Sequence, residues 1–176
     1  MSKSYGLIAL FDTPHAIMHA AEVVRDAGYT HWDTLTPFPV HGLDKAMGLK
    51  RSKVPLFTFI GGVTGFIFGM SLAWYTGELA YPLVVGGKPL FSPIFPFPVA
   101  YEMTILLASF GTLAGMFITN RLPQHHHPVM DYSQFVRVTD DKFALVIESD
   151  DPKFESTQTR TFLEALGGHS IEQVNE

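Results

Sequence analysis

Two long uncharged runs, and two matching strand–helix–strand layouts at the ends of the chain, predict the fold class. Val54–Gly77 spans 24 residues and Met103–Asn120 another 18 without Asp, Glu, Lys or Arg. A helix rises about 1.5 Å per residue, so roughly 20 apolar residues cross a hydrocarbon core about 30 Å thick. The expectation is a membrane α+β protein: a two-helix transmembrane hairpin inserted into a cytoplasmic split β-α-β domain. The alternative, a buried helical hairpin in a soluble protein, needs enough chain to cover two helices that are apolar all round. The remaining residues are too few and too polar for that.

The first end reads as one β-α-β unit. Tyr5–Phe11 is a short apolar run suited to a buried strand. Asp12-Thr13-Pro14 signals a helix start, with a side-chain acceptor for the cap and Pro where its missing N–H costs nothing. The helix should run to about Ala27 and stop at Gly28. Ile17, Ala20, Ala21, Val24 and Ala27 form its apolar stripe, opposite His15, His19, Glu22 and Asp26. Tyr29–Leu35 is a second strand, ended by Thr36-Pro37-Phe38-Pro39.

The other end repeats the plan. Phe143–Glu148 is a strand, and Asp150-Asp151-Pro152 looks like a helix start of the same type. Phe154, Phe162, Leu163 and Leu166 supply a stripe, Gly167-Gly168 a stop, and Ser170–Val174 an edge strand. Two strands and one helix are marginal alone. One four-stranded sheet with both helices on one face, the ferredoxin-like arrangement, is the economical solution. Two unassociated half-domains are the alternative. The predicted layout is therefore 1–40 as the first half-domain, 41–53 as a basic juxtamembrane linker and 54–77 as the first span. A Pro/aromatic connection (78–101), the second span (102–121), a return linker (122–137) and the second half-domain (138–176) follow.

Within the spans, Gly61, Gly65 and Gly69 repeat every four residues, and Ala108, Gly111 and Gly115 do a similar job on the second. Small residues at this spacing let backbones approach closely, against each other or against a foreign helix. The connection carries Pro82, Pro89, Pro93, Pro96 and Pro98, which break regular helix, and Phe91, Phe95 and Phe97, which suit a membrane interface or another subunit. Glu102 opens the second span as an interfacial or intramembrane carboxyl.

Charge sets orientation and partners. Lys45, Lys50, Arg51 and Lys53 precede the first span and Arg121 follows the second, whereas the connection carries only Lys88. The positive-inside rule then puts both termini in the cytoplasm and the connection in the periplasm, in a bacterial inner membrane. The basic cluster would meet anionic headgroups. The N-terminus lacks a signal peptide's apolar core. A net charge of −5 with no basic stripe excludes nucleic acid as a partner.

Candidates for chemistry are few. There is no cysteine, which excludes disulfides, thiolate iron–sulfur ligation and covalent haem attachment. Neither span has a histidine for axial haem ligation. His15 and His19 stand four apart on a predicted helix, a spacing able to bind zinc, but no third ligand is evident. His125, His126 and His127 read as a polar turn at the headgroups or an adventitious metal site. No nucleophile elbow, phosphate loop or dinucleotide fingerprint occurs. Expected site content is thus no catalytic, cofactor-binding or metal residue.

The stretch His41-Gly42-Leu43-Asp44-Lys45-Ala46-Met47-Gly48, the Gly61-Gly62 pair and Tyr81-Pro82-Leu83-Val84-Val85-Gly86-Gly87-Lys88-Pro89 form an ordered set. With Glu102, His127-Pro128 and Asp151-Pro152-Lys153-Phe154, that set resembles the D-type membrane component of the bacterial alternative complex III. That complex is a quinol-oxidising, cytochrome-containing membrane assembly that replaces the bc1 complex. The resemblance implies a multi-pass protein without cofactor, whose partner subunits hold haem c, iron–sulfur clusters and the quinol site. The chain would then be no enzyme on its own. It would be a non-catalytic part of an oxidoreductase that helps assemble and stabilise the complex in electron transport, with other membrane and cytochrome subunits and the bilayer as partners. The competing reading is an independent membrane-anchored regulatory or metal-sensing module that uses His15/His19 or His125–His127.

Overall fold

The computed structural model describes residues 4–175. It divides into two compact units, one built from the two ends (Met1–Lys50 with His125–Glu176) and one from the middle (Arg51–Gln124).

In the first unit, β1 (Ser4–Phe11), β2 (Trp32–Leu35), β3 (Phe143–Glu148) and β4 (His169–Asn175) form one antiparallel sheet in the order β2-β3-β1-β4. Strands from both ends of the chain therefore share a sheet, and the half-domains are not separate. The register Leu7↔Ile147, Ala9↔Leu145, Phe11↔Phe143 puts one set of side chains on one face. There α1 (Pro14–Asp26) contributes Ile17, Ala20 and Val24, and the last helix contributes Leu163, to the main core. The opposite set, Ile8, Leu10, Ala144 and Val146, faces a second core. β1 and β3 are thus buried on both faces, which is why they read as continuous apolar runs rather than as alternation.

α1 begins as its cap chemistry predicts: the Thr13 hydroxyl accepts from the Ala16 amide at 3.2 Å, with Pro14 next. It ends at Gly28, whose φ of +81° suits glycine. The short α2 (Leu43–Ala46) follows, and the Arg25 guanidinium donates to the Lys45 and Ala46 carbonyls at its end.

Three parts of this unit differ from expectation. β2 starts at Trp32 rather than Tyr29, because the Thr30 and His31 amides donate to the Asp151 carboxylate at 2.6 and 2.8 Å instead of to a strand. That same carboxylate is consumed there, so Asp150-Asp151-Pro152 makes a turn, with Lys153 N donating to Asp151 Oδ1, rather than capping a helix. The last helix, numbered α6 below, starts only at Ser156, with the buried Thr159 hydroxyl accepting from the Glu155 amide. The return linker, expected as a plain connector, instead covers the second face. A 3₁₀ turn (Pro128–Asp131) and α5 (Phe135–Asp140) place Val129, Tyr132 and Val138 in the second core. α6 (Ser156–Ala165) completes the unit.

The second unit is a helical hairpin. α3 (Val54–Trp74) runs on through a wider, π-helical turn (Tyr75–Ala80), and α4 (Phe97–Thr119) returns antiparallel to it. Both are long and apolar enough to cross a membrane, and only 11% and 6% of their most apolar windows are buried. The helix α4 takes five residues that the proline count assigned to the connection. Pro98 lies in its first turn, where a proline removes no helical hydrogen bond.

Candidate functional site

The hairpin's seam is built from glycine. A Cβ on Gly61 would collide with the Leu107 carbonyl, and one on Gly65 with the Met103 carbonyl. One on Gly69 would lie 2.7 Å from Ala100 Cα, and one on Gly111 2.5 Å from the Phe57 carbonyl. Gly115 abuts the Phe57 ring, and Ala108 lies against Gly61 and Gly62. All six small residues singled out from the sequence sit on this seam, so the glycine face is occupied by the partner helix of the same hairpin. One polar contact joins them: Thr58 and Thr112 Oγ1 stand 2.7 Å apart. Each hydroxyl also reaches a carbonyl of its own helix, Thr58 that of Val54 at 3.3 Å and Thr112 that of Ala108 at 2.8 Å, and either can be the donor across the seam.

Glu102 lies one and a half turns inside α4, exposed, beside a groove of about 400 Å³ lined by Met103, Ile105, Leu106 and Ser109. Lys45 ends in solvent on α2, and Lys50, Arg51 and Lys53 are exposed on the chain leading into α3. His15 and His19 are exposed on α1. Of the histidine triplet, His126 pairs with Asp131 at 3.1 Å, and His127 turns inward. Its Nδ1 accepts from the Val129 amide, and its ring meets the Tyr5 ring edge-on at 5.2 Å. Among the described residues no three His, Asp or Glu side chains converge to hold a metal ion.

His127 belongs to a small cavity of about 210 Å³ on the second face, shared with Tyr5, Asp33, Leu35 and Glu148. The Tyr5 hydroxyl donates to Glu148 Oε1 at 3.0 Å, with His127 Nε2 at 3.3 Å. Asp33 has an exposed surface, yet packing around its carboxyl desolvates it and pushes it above its ordinary range. The Thr34 amide opposes that shift, Glu148 adds to it, and His127 again opposes it.

The clasp between the two ends of the chain is the feature that sequence reasoning missed. Asp151 is 4% exposed. Burial pushes its carboxyl up, but amides of His31, Thr30 and Lys153 and the Thr30 hydroxyl outweigh that, and it stays below the usual carboxylate range. Lys153 Nζ donates to the Ala27 carbonyl at 2.6 Å, closing the end of α1. Asp-Pro-Lys-Phe resembles a helix start so closely that only the missing apolar stripe at 155–161 argues otherwise. The second-face cover left a clearer signal: Val129, Tyr132, Phe135 and Val138 recur every third residue.

Among curated proteins, none is significantly similar to this chain. The family model described as alternative complex III, ActD subunit, matches residues 5–173, nearly the whole length. The chain belongs to the ActD subunit family of alternative complex III.

Proposed function

We propose that this ActD-family chain is a non-catalytic, cofactor-free subunit that helps assemble and stabilise the membrane part of a respiratory quinol:electron acceptor oxidoreductase. The observation that carries the reading is the division of the hairpin's surface. Its glycine seam is filled from within, while Phe59, Ile60, Ile67, Phe110, Phe117 and Ile118 point outward, exposed and apolar. An apolar belt of that extent suits lipid and neighbouring membrane helices rather than water.

The residues present do not fit the redox groups of such a complex. Thiolate ligands are absent from the sequence, and no histidine lies between Val54 and Thr119. Haem c, iron–sulfur clusters and quinol then fall to partner subunits. With basic residues flanking both helices, the chain sits in the bacterial inner membrane with its ends in the cytoplasm. The ends form a ferredoxin-like domain in this reading. Its support is the sheet order, in which β3 separates the parallel pair β1 and β2, and β1 separates β3 and β4.

The test is complementation of a strain lacking this chain, read by native electrophoresis with haem staining and by quinol oxidation in membranes. The expected result is a large haem-stained complex that contains the chain and falls in yield without it. A complex of full size and full turnover in its absence would overturn the assembly role.

A further inference from the structure

We propose that the segment joining α3 to α4 binds one acidic phospholipid, its phosphate on Lys88 and the head of an acyl chain among Leu83, Val85, Phe91 and Phe95. The site rests on the membrane reading of the hairpin and adds to it. Lys88, exposed on the connection, is the one Lys or Arg in the sequence between Lys53 and Arg121. It lines a cavity of about 500 Å³ with Leu83, Val85, Leu90, Phe91 and Phe95, a volume within the range that small ligands fill.

The wall has the chemistry of an amphiphile site. Lys88 Nζ stands 5.2 Å from the centre of the Phe95 ring, which holds the ammonium against the apolar lining. Its backbone is set by a turn in which the Lys88 amide donates to the Val85 carbonyl at 3.2 Å, across Gly86 and Gly87 at φ +62° and +73°. Ser92, the other polar side chain of the wall, accepts from the Ile94 amide through Oγ and can donate its own O–H to a phosphate oxygen. The lining includes no carboxylate; Glu78 and Glu102 are not part of it. A zwitterionic lipid would bring its ammonium beside the like charge of Lys88 with no carboxylate in the lining to offset it, whereas an anionic headgroup meets Lys88 and Ser92. The rest of the segment suits a headgroup boundary: Leu83, Val84 and Val85 are each at least 70% exposed.

The test uses the full-length chain in detergent, titrated with phosphatidylglycerol or phosphatidylcholine and read by native mass spectrometry. One phosphatidylglycerol should stay bound per chain in preference to phosphatidylcholine. Lys88→Gln should weaken its retention about fivefold, the effect expected of one basic group near an anionic headgroup, and Lys88→Arg should keep it. Equal retention by parent and Lys88→Gln, or equal retention of the two lipids, would overturn the site. Flotation of the same proteins with vesicles separates the two levels. A parent that floats while Lys88 has no effect sinks the lipid site alone, and a parent that does not float sinks the membrane reading with it.

Discussion

Asp151 shows how one side chain can decide where two elements begin. Its carboxylate accepts from Thr30, His31 and Lys153, so it shortens β2 at one end and delays α6 at the other. Asp151→Ala leaves three part-buried amides without their acceptor and should cost about 1–3 kcal/mol, seen as faster hydrogen exchange in β2 and α1. Because its folded pKa is lowered, the contribution is present above the unfolded value of about 4 and is lost as pH falls through the folded one. Acid titration of the parent should therefore show a destabilisation below about pH 4 that Asp151→Ala lacks. Tyr132 has the opposite sign. Burial, then the charge of Glu172, pushes its phenol up to about 12, while its hydroxyl donates to the Ser170 carbonyl at 2.8 Å. Its contribution is complete below about pH 10 and is lost as pH rises towards about 12. Tyr132→Phe should lose about 1 kcal/mol at neutral pH and flatten the alkaline limb of a thermal-melting series. Neither role is legible in the sequence. Asp151 and Tyr132 act through partners more than a hundred and nearly forty residues away, respectively, and local pattern carries no such pairing.

At the scale of elements, what can be read from sequence is whatever repeats with a backbone period. The strand β1, the helix α1 with its Thr13 cap and Gly28 stop, and the glycine seam of α3 all follow from spacing within one element. The cover of the sheet's second face does not, because its 3₁₀ turn and short α5 carry a period of three that neither the strand nor the α-helix template detects. The seam gives the firmest prediction. Gly65→Leu forces a side chain into the Met103 carbonyl and should cost about 1–3 kcal/mol of hairpin stability, measured by steric-trap or denaturant unfolding in detergent. Thr58→Val removes one hydrogen bond in the same seam and should cost only about 0.6 kcal/mol. A larger loss for Thr58→Val than for Gly65→Leu would mean that polar contact, rather than backbone proximity, holds the helices.

At the scale of the whole molecule, the reading of this chain as a partner rather than a catalyst has its own measurement. Glu102→Gln should leave quinol oxidation nearly unchanged in an assembled complex, and a loss of turnover beyond tenfold at normal haem content would assign the carboxyl a part in the chemistry. The general plan was legible because the two uncharged runs and the two flanking units differ so plainly in composition. The closure of the sheet was inferable from the marginal size of either half. The residues that lock it were not. That closure also fixes a timetable for synthesis. Leu7 pairs with Ile147, and the two central strands come from opposite ends of the polypeptide, so the sheet has no middle until the ribosome has passed residue 148. Both greasy helices leave the exit tunnel earlier, while the first strand still waits unmated. A chain truncated before β3 should leave α1 sensitive to protease, and the full-length chain, in which β3 is free to pair with β1, should protect it.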